Sequence, residues 1–237
     1  MFLAAHIILL FSHKLCKEYG KYCLNIILWS IGFTIPKIID KRRHEDDKNV
    51  PPIIVFQHST FADGYILLHV FGLCSLKFLV KTKHIPNPIV KKFTDKFGCI
   101  PVDDSKKTGV TGKIQEYIKE GNYTQRLIIS PEGGRPLDFD NNDGLSHFSS
   151  GAFVPLVPIQ PVLIQFTCPD ESEFTNPTWN TERVQNDDSI VKWYFSRFFV
   201  APCEITITLM EEAVASEGMT PKEYAKDVRN KMLTALK

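Results

Sequence analysis

His58 and Asp63, five positions apart in the run His58-Ser59-Thr60-Phe61-Ala62-Asp63, are the pair in this chain best suited to moving a proton. Within one regular helix, five positions rotate by about 500°, which leaves the two side chains about 140° apart on different faces. They meet only if His58 ends the extended run Pro52–Gln57 (PIIVFQ) and Asp63 lies in the first turn of the helix that follows. There the carboxylate accepts the imidazole Nδ1 proton and fixes the tautomer. Nε2 is then left to take a proton from a hydroxyl, with the substrate supplying the nucleophile. Thr60-x-x-Asp63 is also the spacing of a helix capping box, in which Asp63 serves the backbone instead. Spacing alone leaves both readings open.

A second group follows the run Arg126–Ser130 (RLIIS): Ser130-Pro131-Glu132-Gly133-Gly134-Arg135-Pro136. Paired glycines let a ligand approach the backbone closely, and Arg135 can form two hydrogen bonds to a phosphate. A tight turn carrying a surface Glu–Arg pair explains the same residues. The third group is Gly151 to Val162, GAFVPLVPIQPV, whose prolines exclude an ordinary helix and favour an extended segment entering a strand. Such a segment walls an acyl or pantetheine channel or simply packs.

The elements that must position these groups alternate along the chain. Strand candidates are Pro52–Gln57, Leu76–Val80, Cys99–Val102, Arg126–Ser130, Val157–Phe166 and Glu204–Leu209. Between the earlier strands lie helical patterns: the apolar Phe61–Leu73, Pro88–Phe97 with Ile89, Val90, Phe93 and Phe97 on one face, and Thr111–Glu120 with Ile114, Tyr117 and Ile118. Strands separated by helices predict an α/β fold, a mixed and largely parallel sheet flanked by helices. Thr220, Pro221 and Glu223 supply an N-cap, a first-turn proline and a capping-box partner for a last helix carrying Tyr224, Val228 and Met232 on one face.

The N-terminus differs in character. Met1–Ser12 and Tyr22–Pro36 carry no Asp, Glu, Lys or Arg, and Lys14, Lys17, Glu18 and Lys21 lie between them. Each run is shorter than the roughly 20 apolar residues that cross a bilayer. Two short apolar helices flanked by basic residues suit an in-plane or re-entrant anchor, so an apolar helical membrane-associating segment is expected over residues 1–40. The charged stretch 41–51 separates it from a catalytic domain over 50–237.

A net charge of +1 gives no bulk electrostatic reason to expect nucleic acid as a partner. The six cysteines are scattered with no CxxC pair, so they read as buried apolar residues in a reducing compartment, and neither a disulfide frame nor a metal site is expected. Asp138–Gly144 is acidic, but its glycine falls one place late and no Glu closes a calcium loop.

In combination and order, these segments resemble the glycerolipid and lysophospholipid acyltransferases. His58 and Asp63 match the family's His-x4-Asp motif. Gly98-Cys99-Ile100-Pro101-Val102-Asp103 matches its second motif, Glu132-Gly133-Gly134-Arg135 is similar to its Glu-Gly-Thr-Arg, and Pro158–Val162 matches its proline-bearing segment. The wording is most similar to lysophosphatidylcholine acyltransferases, and the resemblance spans about residues 50–236. One departure is Asp104, where the family often has Arg; Lys106 and Lys107 stand nearby to compensate.

The resemblance implies an enzyme that moves a fatty acyl group from acyl-CoA, a co-substrate, to a lysophospholipid hydroxyl, with no cofactor. His58 is the implied base and Asp63 its orienter. Thr60, Glu132, Gly133, Gly134, Arg135, Lys106 and Pro161 are the implied substrate-binding residues, with loop amides near Thr60 or Gly133 facing the oxyanion. It further implies a membrane surface as partner, with the site facing the cytosol, on the endoplasmic reticulum if the chain is eukaryotic. Lysophosphatidic acid is the alternative acceptor, and a non-catalytic lipid-binding module of the same fold is the alternative class. A soluble hydrolase is disfavoured, since the chain has no Gly-x-Ser-x-Gly turn.

Overall fold

The computed structural model describes residues 13–42, 50–58, 60, 62–82, 85–86, 88–103, 107–121, 123–133, 145–167 and 202–236. In chain order these form α1 (His13–Ser30), β1 (Lys37–Asp40), β2 (Ile53–Phe56), α2 (Asp63–Phe71), β3 (Leu76–Lys81), α3 (Pro88–Phe97) and β4 (Ile100–Val102). Then come α4 (Lys107–Glu120), β5 (Arg126–Ile129), a 3-10 turn (Ser150–Phe153), β6 (Ile159–Thr167), β7 (Glu204–Leu209) and α5 (Pro221–Leu236). The strands make one seven-stranded sheet in the order β1-β7-β6-β2-β5-β3-β4. β2 runs parallel to both β5 and β6, and β3 runs parallel to β4 and β5. The bridge between Ile159 and Ala213 is antiparallel. The sheet is therefore mixed and largely parallel, as the alternation of elements predicts.

Contact density divides the chain into two units, one of residues 40–58, 74–163 and 208–237 and the other of residues 1–39, 59–73 and 164–207. In the first, β2 is buried along its whole length, which is why Ile53-Ile54-Val55-Phe56 is apolar without alternation. Its core joins Ile53 and Val55 to Leu127 of β5, Ile114 of α4, Phe153 and Tyr224. Tyr224 anchors α5: its ring meets Phe153 edge-on at 5.4 Å, and its hydroxyl donates its one proton between the carbonyls of Ala213 (2.6 Å) and Val157 (3.2 Å), the shorter contact being to Ala213. The predicted capping box starts that helix, with the Thr220 N–H donating to Glu223 Oε2 at 2.8 Å and the Glu223 N–H to Thr220 Oγ1 at 3.3 Å. On α3, the Phe93 and Phe97 rings lie 4.6 Å apart and Phe93 meets Phe78 of β3, the apolar face read from the sequence.

Pro161 sits inside β6, between β2 and β7, a position unusual for a residue with no N–H to give the ladder. Gln160 compensates. Its side-chain amide donates to the Met210 carbonyl at 2.5 Å, while the Met210 N–H donates to the Pro161 carbonyl at 3.1 Å.

In the second unit, α1 packs against α2, burying Cys23, Leu24, Ile27 and Leu28 on one side of α1 and Ile66, Leu67 and Leu68 on α2. Gly72 ends α2 at φ +91°, donating its N–H to the Leu68 carbonyl. The sequence suggested two apolar helices with a charged link. In the structure the charged link Lys14, Lys17, Glu18 and Lys21 and most of the second run share one helix, α1, since straight-chain charged residues sustain a helix as well as apolar ones do. Residues 1–12 lie outside the described residues. Among the described residues, no helix is long and apolar enough to cross a membrane.

The cysteine reading needs correction. Cys203 is disulfide-bonded, whereas Cys23 and Cys99 are free and buried and Cys74 is free but exposed. Pairing depends on which segments the fold brings together, and scattered spacing carries no record of that.

Candidate active site

His58 follows β2 just as Glu132 follows β5, and the register of these parallel neighbours brings them level. Val55 lies opposite Ile129, so the residue three places beyond each is His58 on one strand and Glu132 on the other. Both loops leave from the carboxyl ends of their strands, where open α/β sheets hold their ligands. Gly133 sits at φ +75°, a left-handed turn position, and donates its N–H to the Ser130 carbonyl at 3.2 Å.

Glu132 is the brace of this loop cluster. Its Oε2 accepts the His58 main-chain N–H at 2.8 Å, and its Oε1 accepts the Ser146 N–H at 2.9 Å. The Ser149 N–H donates to the Pro131 carbonyl at 2.7 Å, tying the same two segments a second time. A carboxylate accepting two backbone amides makes strong, charge-assisted bonds. They fix the backbone of His58, and the Phe56 ring meets its imidazole edge-on at 5.9 Å.

Thr60 and Asp63 belong to the other unit and form a local knot. Thr60 is fully buried and Asp63 nearly so. The Thr60 N–H donates to Asp63 Oδ2 and its hydroxyl to Oδ1, each at 3.0 Å, while that hydroxyl accepts the Ala62 N–H at 3.0 Å. The helix takes Ala62 as its N-cap, with no side-chain cap bond, and the Asp63 N–H donates to the Thr60 carbonyl at 3.3 Å, so only the carboxylate reaching back to the Thr60 N–H is shared with a capping box. A carboxylate offers about four acceptor positions, so two bonds to Thr60 do not exhaust it.

The structure thus joins His58 to Glu132 and Thr60 to Asp63. Pro161 lies within β6, and Lys106, Gly134, Arg135 and the acidic stretch up to Gly144 lie outside the described residues. The two amides suggested for an oxyanion are both engaged, that of Thr60 with Asp63 and that of Gly133 with Ser130. Ser146 had no sequence signal, because it contributes only a backbone N–H. Cys99, in the second motif, has its thiol pushed up to about 11 by burial, so it stays protonated at neutral pH and is a poor nucleophile.

A family model described as Acyltransferase matches residues 38–165, more than half of the chain. The chain belongs to the acyltransferase family. It is 25% identical to mouse (Mus musculus) lysophosphatidylcholine acyltransferase 2 over 94% of its length, which covers 39% of that protein. It is 24% identical to mouse lysophospholipid acyltransferase LPCAT4 over 90% of its length, covering 38% of that protein. The chain therefore spans about two fifths of the length of the curated relatives it matches. The crystal structure of the 1-acyl-sn-glycerophosphate acyltransferase PlsC from Thermotoga maritima shares the acyltransferase fold. It matches with a TM-score of 0.53 and 18% identity, covering 94% of this chain and 78% of that one.

Proposed function

We propose that the chain transfers a fatty acyl group from acyl-CoA to the free hydroxyl of a lysophospholipid, lysophosphatidylcholine or a related headgroup, with His58 as general base. The observation that carries this reading is the Glu132 carboxylate gripping the His58 N–H at the carboxyl end of β2. It preorganises the main chain of the residue proposed to take the hydroxyl proton. Asp63 fixes the His58 tautomer in the proposed step, and Thr60 fixes Asp63. His58 removes the proton, the acceptor oxygen bonds to the thioester carbonyl carbon, and the tetrahedral intermediate collapses with loss of the coenzyme A thiolate, which recovers the proton. Arg135 and Lys106 are proposed to meet phosphate groups. Gly133 and Gly134 are proposed to let the acceptor approach the backbone, and Pro161 to line the acyl path. Glu132 acts through the loops it ties. No cofactor or metal enters the proposed step.

A membrane surface is the proposed site of action. Tyr19, Tyr22, Ile26 and Trp29 recur at helical spacing on α1, with Tyr22 70% and Trp29 67% exposed, and Ile35 beyond the helix is 63% exposed. Tyr and Trp favour the membrane–water boundary, where an apolar body and a polar tip are both satisfied. The bonded Cys203 fits an oxidising compartment better than the reducing one expected from sequence.

Coenzyme A release from purified protein with His58→Ala and Asp63→Asn tests the chemistry. Both are expected to abolish turnover while the fold persists, and full turnover by His58→Ala overturns the assignment. A panel of lysolipids differing only in headgroup identifies the acceptor, with lysophosphatidic acid as the alternative. Lysolipid binding without thiol release across that panel indicates a binding module.

A further inference from the structure

The structure assigns Arg229, on the C-terminal helix, as a positioning residue for the general base, an inference that rests on the proposed role of His58. Arg229 Nε donates to the Ser146 carbonyl at 2.8 Å and its Nη2 to the Leu145 carbonyl at 2.7 Å. The N–H of the same Ser146 donates to Glu132 Oε1, and Glu132 Oε2 accepts the His58 N–H. An uninterrupted series of hydrogen bonds, each no longer than 2.9 Å, therefore runs from α5 to the main chain of His58.

The starting point of this series is itself fixed. Tyr224 and Val228 are fully buried on α5, and the Tyr224 hydroxyl, held between the Ala213 and Val157 carbonyls, sets the rotation and height of the helix. Arg229, one step beyond Val228, is half-buried, and its planar fork spans two successive carbonyls, which the point charge of a lysine does not reproduce. Gripping both carbonyls orients the intervening peptide, and with it the Ser146 N–H that Glu132 needs. If Ser146 turns away, Oε1 loses a donor and the grip of the carboxylate on His58 loosens. A base displaced by a fraction of an ångström transfers protons poorly while the substrate sites, which Arg229 does not touch in this series, keep their affinity. The consequence is a loss in kcat with KM preserved.

The test uses the full chain with Arg229→Met, Arg229→Lys, Glu132→Gln and the double variant Arg229→Met/Glu132→Gln. Thermal unfolding establishes how much of each population is folded. Arg229→Met is expected to lower kcat about tenfold or more with KM for both substrates within about twofold. Amide hydrogen exchange at Ser146 and His58 is expected to accelerate about tenfold, and Arg229→Lys to fall between Met and the parent in both readouts. In the Glu132→Gln background, Arg229→Met adds little further loss, because both act through one carboxylate. The assignment is overturned if Arg229→Met changes only the melting temperature, or if its effect on kcat multiplies undiminished with that of Glu132→Gln. Should Arg229→Met not fold, Arg229→Lys decides alone: parental kcat and exchange in that variant overturn the assignment. Hydrogen exchange separates this from failure of the proposed function. Turnover by His58→Ala refutes the base and leaves the exchange coupling standing, whereas unchanged exchange in the Arg229 variants refutes the coupling whatever His58 does.

Discussion

Asp63 and Glu132 both have each carboxylate oxygen engaged, yet they bind the chain over very different distances. Asp63 holds Thr60, three residues away, with both oxygens. Glu132 holds His58 and Ser146, 74 and 14 residues away. The first is a local knot that any chain with this spacing can make once a helix begins at Asp63. The second exists only after β2 and β5 have paired in the register that brings their ends level. The two carboxylates therefore report on different stages of folding, and their removal should have different consequences.

The largest effect is expected from Glu132→Ala. It strands two backbone N–H groups in part-buried surroundings, each formerly bonded to a charge, at a cost of about 3 kcal/mol or more. Turnover should fall about 100-fold or further as the His58 main chain loosens. Urea unfolding and coenzyme A release measure the two. Parental stability in Glu132→Ala would show that the loops are held by other means and would remove the contrast with Asp63.

Next comes the disulfide of Cys203, a residue of the other unit. Its reduction, or Cys203→Ala, should lower stability by about 2–4 kcal/mol, read as a fall in melting temperature with dithiothreitol. A reduced protein with the unreduced melting curve would mean that this unit depends on local contacts alone. Thr60→Ala should cost less, about 1 kcal/mol, the ordinary net value of a lost side-chain hydrogen bond. Thr60→Ser, which keeps the hydroxyl, should lose only a fraction of that. If Thr60→Ala instead matches Glu132→Ala in both stability and activity, the knot is not merely local.

The same distinction explains what could be read from the sequence. The capping box at Thr220, the buried run of β2 and the Phe93–Phe97 face are patterns within about ten residues, and each is present as expected. β1 was missed because its residues Lys37–Asp40 are all exposed and carry no alternation. The partners of Glu132 were missed for another reason. A backbone N–H has no residue type, so no spacing announces that His58 and Ser146 donate to one carboxylate. Arg229 was visible only as part of a helical pattern, since its acceptors are carbonyls 83 and 84 residues away. Cys203 was misread for the same cause, as pairing is settled by the fold and not by sequence separation.

The smallest effect sharpens the contrast from the side of the local unit. His69 lies on α2, the helix that Asp63 begins, and is 7% exposed, with neither ring nitrogen hydrogen-bonded among the described residues. Burial lowers its pKa from the ordinary value, and the positive charge of Lys21 on α1 lowers it further. The folded protein therefore keeps this imidazole neutral at pH values where the unfolded chain, titrating near the usual value of about 6.5, takes up a proton. Stability from this group is intact above about pH 6.5 and declines as pH falls below it, by at most about 1.4 kcal/mol per pH unit. His69→Leu removes the difference in proton uptake and should flatten the stability profile between about pH 6.5 and 5. It should leave the Ser146 and His58 amide protection untouched, because both amides are held through Glu132 in the other unit. Urea unfolding across that pH range, with hydrogen exchange on the same samples, measures both. A profile as steep in His69→Leu as in the parent assigns the acid sensitivity to other groups. Faster exchange at Ser146 in that variant would show that His69 also bears on the loops that Glu132 ties.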